Sequence, residues 1–409
     1  MYVITSKIFQ NILSLFHQVR HFEQPADALL SKYFRDNRKL KKPEKNIIAE
    51  TIYTILRNYF KLTKMTSSTE QLIIYSWIRF MNIPAREVEN ILPREYGAYL
   101  NLGKIDDMVI ELPEWIIERL ATFMTMAEIK LLDNAMSSQP DLTLRVNTIK
   151  MNRKELLAEF KQQGIAAVET KYSPYGVRIK DKSILMNNEL FLTGCFEVQD
   201  EASQLAGVFF NAKRGEMITD FCAGSGGKTL IFGMTMKNSG RIYAFDNNER
   251  RLNNLKPRLA RSGLSNIYAQ LISSENDSKL KRLAEKMDRV FVDAPCLGLG
   301  TIRRNPDLKF RQSITSLEEM TRLQAQILQS ASKLVKFGGV LAYATCSILR
   351  EENREIVDAF IENNSQFEII NLNQSISEVG LSVADERYLE LFPHLHNTDG
   401  FFCCLMKKN

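Results

Sequence analysis

Two cysteines occupy equivalent positions after two apolar segments that have the composition of β-strands. Cys296 follows the segment RVFVDAP, and Cys346 follows GGVLAYAT. In an open α/β sheet, ligands bind outside the carboxyl ends of the strands, so both thiols are expected at one crevice. A single cysteine is more often a small buried hydrophobe than a nucleophile. A pair at two strand ends instead favours covalent chemistry.

A glycine-rich turn precedes these two segments in the chain. The strand-like residues 217–221 lead into CAGSGGKT and then into a helical sequence. Such a turn lets a ligand approach the backbone and lie at the positive end of the helix. The residues predicted to hold a ligand here are Cys222, Ala223, Gly224, Ser225, Gly226, Gly227 and Lys228.

Three ligand chemistries compete for this turn. A P-loop would need glycine at position 222, where the chain has Cys222. A dinucleotide fingerprint starting at Gly224 would place its third glycine at Thr229. Asp246 ends the next strand-like segment and can accept hydrogen bonds from the two hydroxyls of a ribose. Binders of NAD and of S-adenosylmethionine share this combination, so it predicts a nucleoside ligand without specifying the reaction.

The elements that must position these residues divide the chain into three parts. From about residue 206, short apolar segments alternate with helical stretches, which predicts a mostly parallel sheet covered on both faces. Residues 141–205 contain strand-like segments around one helix and predict a small α+β subdomain. In residues 1–140 the apolar side chains recur at helical spacing. The expected fold class is therefore α/β, with helices before it.

The composition is that of a globular protein. The 409 residues include 54 Lys and Arg against 48 Asp and Glu, giving a net charge of +6, and 44% of the residues are hydrophobic. We see no signal peptide, no membrane-spanning stretch and no cysteine pair at metal-ligand spacing. We therefore expect a cytoplasmic protein with free thiols, no metal and no membrane contact. The adjacent Cys403 and Cys404 are expected to point to opposite faces of a strand and fill the core.

Basic residues are unevenly distributed. Seven of them form a short basic segment around Pro43, which is either a solvated helix end and turn or a phosphate-binding surface. Its members are Lys32, Arg35, Arg38, Lys39, Lys41, Lys42 and Lys45. A second group follows Cys296 and suits phosphate contacts. It contains Arg303, Arg304, Lys309 and Arg311, the last two with a solvated loop as the alternative.

The motifs CAGSGGKT, DAPCLGLGTIRRNPD and ATCSILREENREIV resemble those of the Sun (Fmu/RsmB, NOL/NOP) family of S-adenosylmethionine-dependent RNA cytosine-5 methyltransferases. The resemblance runs from about Leu142 to the C-terminus and is strongest to the bacterial rRNA members. It implies a class I, Rossmann-like methyltransferase domain at 206–409 and a small RRM-like subdomain at 141–205. Residues 1–140 resemble the NusB-like RNA-binding domain of those members. The expected substrate is RNA, 16S rRNA in particular, and the expected state is a monomer.

The resemblance also implies a role for each motif residue. Cys346 would add to carbon 6 of cytosine, which makes carbon 5 nucleophilic enough to accept a methyl group. Cys296 would assist product release, and Asp293 would contact the cytosine near N3 and also the cofactor. The residues expected to hold S-adenosylmethionine are the turn from Cys222 to Gly227, Lys228, Asp246 and Asp293. Arg303 and Arg304 would contact RNA, and the target base would be unpaired or flipped out.

The chain departs from the family pattern at two places. The family usually has an acidic residue near the adenine after the third strand, where this chain has Ser273 and Ser274, with Asp277 as the nearest substitute. Leu297 occupies a position often held by a small residue. Two alternatives stay open: tRNA as the substrate, and a non-catalytic RNA-binding ribosome-assembly protein that kept the fold. A P-loop-like nucleotide hydrolase is weakened by Cys222.

Overall fold

The computed structural model describes residues 4–92, 106–180 and 187–409, and the chain folds into two compact units. The first, here called the helical unit, contains residues Met1–Gln139 and Thr301–Ile314. The second, the sheet unit, contains Pro140–Gly300 and Thr315–Asn409.

Amphipathic helices build the helical unit. They are α1 (Ser6–Val19), α2 (Ala26–Asp36), α3 (Lys42–Arg57), α4 (Tyr59–Met65), α5 (Thr69–Tyr75), α6 (Ala85–Ile91), α7 (Glu114–Leu120) and α8 (Met126–Met136). The hydroxyl of Thr5 accepts a hydrogen bond from the Ile8 amide and so caps the start of α1. The buried faces of α1 and the following helices share one core, in which Phe9 meets the fully buried Trp77 edge-on. The helical periodicity of this part of the sequence therefore reflects real buried faces.

The sheet unit begins with a small antiparallel sheet in the strand order β2-β3-β1-β4. Its elements are β1 (Leu142–Val146), α9 (Arg153–Gln162), β2 (Ala167–Glu169), β3 (Gly176–Ile179), α10 (Glu189–Leu192) and β4 (Phe196–Val198). Helix α9 begins with a capping box between Asn152 and Glu155 and packs Phe160 against Phe196 of the sheet. The predicted small α+β subdomain is thus present.

A second, eight-stranded sheet forms the centre of the same unit. Its strands are β5 (Met217–Asp220), β6 (Arg241–Asp246), β7 (Ile267–Leu271), β8 (Met287–Asp293), β9 (Val335–Thr345), β10 (Phe367–Ile369), β11 (Leu389–Leu391) and β12 (Phe401–Lys408). Strands β9, β8, β5, β6 and β7 pair in parallel in that order, and β12 adds to β9 antiparallel. The chain order reverses between β5 and β8, which is where ligands bind in such sheets.

Helices cover both faces of this sheet, as predicted. They include α11 (Glu201–Phe210), α12 (Gly227–Thr235), α13 (Glu249–Ser262), α14 (Ser278–Lys281), α16 (Ile314–Ser332), α17 (Arg354–Asn363), α18 (Asn373–Glu378) and α19 (Pro393–His396). Cys403 belongs to the core on one face, and Cys404 belongs to the core on the other. The expectation that these thiols fill opposite cores is confirmed. In the described ranges, no helix has the length and apolar character needed to span a membrane.

Residues Thr301–Ile314 leave the sheet unit and fold with the helices. This segment carries α15 (Leu308–Arg311), whose Phe310 stacks on Phe22 at 4.3 Å between ring centroids. Lys309 forms a salt bridge with Glu111 at 3.3 Å, and both side chains are buried. The predicted division assigned this segment to residues 206–409. The aromatic stack and the buried ion pair explain why it folds with the helices instead.

Candidate active site

A cavity of about 480 Å³ lies at the carboxyl ends of the parallel strands in the sheet unit. The glycine-rich turn after β5 forms one wall, the ends of β6, β8 and β9 form others, and α16 closes one side. The predicted site residues that line it are Cys222, Gly224, Ser225, Asp246, Asp293, Cys296 and Cys346. Residues that are far apart in the sequence thus meet in one cavity.

The glycine-rich turn is shaped by two left-handed glycines. Gly224 has φ +55°, and its amide donates a hydrogen bond of 2.8 Å to Asp246 Oδ2. Gly226 has φ +80°, and a Cβ atom there would lie 2.1 Å from Leu255 Cδ1 of α13. The Asn248 amide binds the other carboxylate oxygen of Asp246 at 2.7 Å. These bonds orient Asp246 toward the cavity wall, and each oxygen keeps a second lone pair for a ligand hydroxyl.

A buried carboxyl group lies beneath the turn. Thr229 Oγ1 donates a hydrogen bond of 2.6 Å to Asp220 Oδ2, which ties the first turn of α12 to the end of β5. Within the described residues, Asp220 Oδ1 has no hydrogen-bond partner. Burial raises the pKa of Asp220 to about 7, and repulsion from Asp293 adds to the effect. Asp220 was not among the predicted site residues, because an acidic residue at a strand end gives no local sign of burial.

Lys228 and Asp293 form an ion pair at the cavity. Lys228 Nζ lies 2.7 Å from Asp293 Oδ2 and 5.1 Å from the centroid of the Phe401 ring. Burial alone would lower the pKa of Lys228, but the adjacent Asp293 carboxylate raises it overall. Lys228 therefore stays charged and fixes Asp293 where it lines the cavity. The two residues were predicted separately, and no local pattern indicates that they pair.

The two thiols of the strand ends are in contact. Cys296 Sγ lies 3.3 Å from Cys346 Sγ, and both side chains line the cavity. The hydrogen bond to Cys346, together with burial, raises the pKa of Cys296 well above its usual range, and the negative charges of Cys346 and Glu352 add to this. Either sulfur can donate in this contact, and the raised pKa of Cys296 keeps its thiol protonated in the folded protein.

The expectation that Asp277 lies near the adenine of the cofactor needs a correction. Asp277 does not line the cavity, because its carboxylate accepts hydrogen bonds from the Ser273 and Lys279 amides and caps α14. Ser274 and Glu275 line the cavity instead. The acidic side chain available at this end is thus Glu275, two residues closer to β7 than the predicted substitute.

The basic residues after Cys296 lie outside the cavity. Arg303 is buried in the helical unit, where its carbonyl oxygen accepts a hydrogen bond from Arg57, while Arg304 is half-buried. The phosphate contact predicted for Lys309 is wrong, because its ammonium group is enclosed with Glu111. Arg311 pairs with Asp307 at 3.2 Å.

Three further residues near the thiols were not predicted from the sequence. Gln324 of α16, Glu352 and Asn353 are buried. They hydrogen-bond to the backbone on both sides of Cys296 and to the backbone directly after Cys346. Their proximity to the cysteines follows only from the tertiary structure, because in a sequence a buried amide or carboxyl residue of a helical segment cannot be distinguished from an ordinary surface residue.

Comparison with family models matches two parts of the chain. The model for the 16S rRNA methyltransferase RsmB/F matches residues 208–407, and the model for the RsmF/B-like ferredoxin-like domain matches residues 112–184. The first covers the eight-stranded sheet and the whole cavity. The second includes α7 and α8 as well as the first strands of the small sheet.

Several curated proteins are similar over most of the chain. The probable ribosomal RNA small subunit methyltransferase B of Bacillus subtilis is 32% identical over 72% of this chain and 66% of that protein, just under two thirds of its length. The corresponding Synechocystis protein is 31% identical, covering 79% and 74%. A human 28S rRNA (cytosine(4447)-C(5))-methyltransferase is 29% identical over 77% of this chain and 40% of that protein.

Solved structures share the fold. The crystal structure of PH0851 covers 99% of both chains with a TM-score of 0.81 and 25% identity. A methyltransferase homolog protein from Pyrococcus horikoshii covers 73% of this chain and all of its own, with a TM-score of 0.60 and 26% identity.

Proposed function

The chain belongs to the 16S rRNA methyltransferase RsmB/F family, and we propose that it methylates carbon 5 of a cytosine in RNA, using S-adenosylmethionine. The observation that carries the proposal is the pair of thiols in contact, 3.3 Å apart, at the cavity. Carbon 5 of cytosine is too electron-poor to take a methyl group directly. Addition of a nucleophilic thiol to carbon 6 makes carbon 5 nucleophilic, and a second thiol beside the first can assist release of the methylated product.

The cavity fits a nucleoside cofactor. Asp246 offers two carboxylate oxygens for ribose hydroxyls, and a Cβ at Gly224 would meet no atom within 4 Å, so the backbone there is open to close approach. Ile272 supplies an apolar wall, and Glu275 could accept a hydrogen bond from an adenine amino group. When bound, S-adenosylmethionine supplies an electrophilic methyl group. The role of this chain is to hold it beside the thiols.

Cys346 is the proposed nucleophile. Its sulfur would form a bond to carbon 6 of a cytosine that has left its stack, and the electron pair of the C5–C6 double bond would then be available at carbon 5. Asp293, held by Lys228, would lie at the cytosine edge near N3. Its carboxylate would favour uptake of a solvent proton at N3 as negative charge builds up there, and would accept the hydrogen bond from the resulting N–H.

Cys296 is the proposed assistant of product release. Contact with Cys346 and burial raise its pKa well above the usual range, so it enters the reaction protonated. Once the sulfur of Cys346 is bonded to carbon 6, it no longer opposes ionisation of Cys296, whose proton then passes to solvent. Its thiolate could then take the proton from carbon 5, while the C6–S bond breaks and returns Cys346 as a thiolate.

The proposed substrate is small-subunit rRNA. The bacterial relatives are named as small subunit rRNA methyltransferases, and a human relative is named for 28S rRNA. Transfer RNA stays the alternative substrate. Bisulfite sequencing of total RNA from cells with and without this gene would identify the modified cytosine and distinguish the two RNA classes.

Two cysteine variants test the mechanism. We expect Cys346→Ala to lose both methyl transfer and the covalent RNA–protein adduct, whereas Cys296→Ala should accumulate the adduct because release is slowed. Incorporation of labelled methyl groups and denaturing gels measure the two quantities. Equal turnover by wild type and Cys346→Ala would refute the mechanism. Tight RNA binding without measurable S-adenosylmethionine binding would instead favour the non-catalytic alternative.

A further inference from the structure

Glu352 and Asn353 are consecutive buried residues that contact both cysteine-bearing loops. They end a short 3-10 turn, Arg350–Glu352, that follows Cys346 in the chain. Glu352 is 0% exposed and Asn353 is 3% exposed. The mechanism above assigns no task to either residue.

Glu352 holds the loop that carries Cys296. Its Oε1 accepts a hydrogen bond of 2.8 Å from the amide of Leu297, the residue directly after the cysteine. It also accepts one of 3.0 Å from Gln324 Nε2, and the same nitrogen lies 2.9 Å from the carbonyl oxygen of Pro295, the residue directly before the cysteine. The backbone after Cys296 is therefore bound directly by the Glu352 carboxylate, and the backbone before it is connected to the same carboxylate through Gln324.

Asn353 holds the loop that carries Cys346 in the same way. Its Nδ2 donates a hydrogen bond of 3.1 Å to the carbonyl oxygen of Ser347, directly after the cysteine. Its Oδ1 accepts a hydrogen bond from the hydroxyl of Thr345, directly before the cysteine. The two neighbouring side chains therefore each fix one thiol-bearing loop, and the thiols meet at 3.3 Å.

The buried carboxyl group carries a cost that packing does not explain. Glu352 Oε2 has no hydrogen-bond partner in the described part of the chain, and neither has Gln324 Oε1. Burial raises the pKa of Glu352, although the hydrogen bonds from the Ser347 side chain, Leu297 and Gln324 oppose this rise. Burying a carboxyl group costs free energy, and this one is stabilised through residues beside the two cysteines.

We propose that Glu352 and Asn353 are positioning residues that divide the reaction between them. Glu352 holds the Cys296 sulfur in position for product release, and Asn353 holds the Cys346 sulfur in position for attack on cytosine. The inference rests on the proposed methyltransferase function. It adds that the attack and release steps can be impaired separately by changing two adjacent residues that do not themselves touch the reacting atoms.

The test compares two RNA probes with the full-length protein. RNA with cytosine at the target position reports turnover and the steady-state level of adduct. RNA with 5-fluorocytosine reports attack and methyl transfer without release, because the methylated carbon 5 then carries fluorine in place of the hydrogen that release removes, and the adduct is trapped. The variants are Glu352→Leu, Glu352→Gln, Asn353→Leu and, as a matched exposed control on α17, Glu362→Gln.

The leucine variants of Glu352 and Asn353 are expected to impair different steps of the reaction. Glu352→Leu should trap 5-fluorocytosine RNA at nearly the wild-type rate, yet accumulate adduct on ordinary RNA and turn over about ten-fold more slowly or worse. Asn353→Leu should trap the probe about ten-fold more slowly and accumulate no adduct. Glu352→Gln keeps an oxygen acceptor for the Leu297 amide and should recover most of the turnover. Glu362→Gln should match wild type.

A uniform effect would overturn the inference. If folded variants lower trapping and turnover by the same factor, or leave both unchanged, the two residues have only a structural role or none. If the leucine variants do not fold, the isosteric Glu352→Gln still decides the test. Turnover of Glu352→Gln as low as that of Cys296→Ala would refute the proposal that Glu352 acts by positioning Cys296. If wild type itself traps no probe, the proposed function fails first and the inference fails with it.

Discussion

At the residue scale, the site depends on ionisable side chains whose charges are set by one another. Lys228 keeps its charge because Asp293 is 2.7 Å away, and Cys296 keeps its proton because contact with Cys346 and burial raise its pKa. Asp220 is fully buried, with a pKa raised to about 7 by burial and by repulsion from Asp293. A carboxyl group in that position couples the stability of the sheet unit to pH.

We predict that Asp220→Asn removes a pH-dependent part of the stability. A folded-state pKa above the unfolded value means that the native state holds the proton more tightly. The contribution of Asp220 is therefore fully present below about pH 4, declines as the pH rises, and is lost above about pH 7. Relative to wild type, Asp220→Asn should be more stable at pH 8 than at pH 5.

Thermal unfolding at a series of pH values measures this difference. Asp107→Asn, which changes an exposed carboxylate, is the control and should follow the wild-type profile. Parallel profiles for wild type and Asp220→Asn between pH 5 and pH 8 would show that the Asp220 carboxyl is ionised normally in the folded protein.

At the element scale, the glycine-rich turn depends on close packing between the start of α12 and helix α13. Gly226 has φ +80°, and a side chain there would collide with Leu255 of α13. The periodicity of the sequence predicted the strand before the turn and the helix after it. It could not predict which glycine is required for this packing, because Leu255 is distant in the chain and only the folded sheet brings α13 against the turn.

We predict that Gly226→Ala destabilises the protein by about 2–4 kcal/mol, from left-handed backbone strain together with overpacking. Gly164→Ala is the matched control, since it has φ +69° with no atom within 4 Å of a new Cβ. It should cost only the backbone strain of about 1–2 kcal/mol. Denaturant unfolding compares the two variants, and an equal loss would show that contact with Leu255 does not matter.

At the scale of the whole molecule, the helical unit is completed by a segment from the second half of the chain. The ring of Phe310 stacks on Phe22 and lies 5.0 Å from the centroid of the Tyr59 ring, and Lys309 is buried against Glu111. This unit also carries the basic segment, which spans the end of α2, the following turn and the start of α3. Lys41 and Lys42 lie at the positive end of α3, where cations are unfavourable and an anionic partner would be favoured.

We predict that Phe310→Ala destabilises the helical unit by about 2–4 kcal/mol, because it removes a stacked ring and leaves a cavity among aromatic side chains. Phe337→Ala removes a ring that is 80% exposed and should change stability little. Unfolding curves and limited proteolysis within Thr301–Ile314 measure the effect. A Phe310→Ala protein as stable and as protease-resistant as wild type would contradict the anchoring of this segment.

We predict that the triple variant Lys39→Gln, Lys41→Gln, Lys42→Gln binds RNA more weakly and with a smaller salt dependence. Loss of three phosphate contacts lowers the slope of log affinity against log salt by about 2. A matched triple change of Lys279, Lys281 and Arg282 to glutamine, on the sheet unit, is the control. An unchanged salt slope would favour a merely solvated helix end and turn.

The sequence by itself determined the order and type of the main elements and the residues at the strand ends. Alternation of apolar segments with helical stretches is a local property, as are the glycines of the turn and the two adjacent cysteines that enter opposite cores. The tertiary structure decided the contacts between distant residues. These are the meeting of Cys296 with Cys346, their support by Glu352 and Asn353, and the folding of Thr301–Ile314 with the helices. Such contacts follow from burial and packing over the whole chain, which no local pattern encodes.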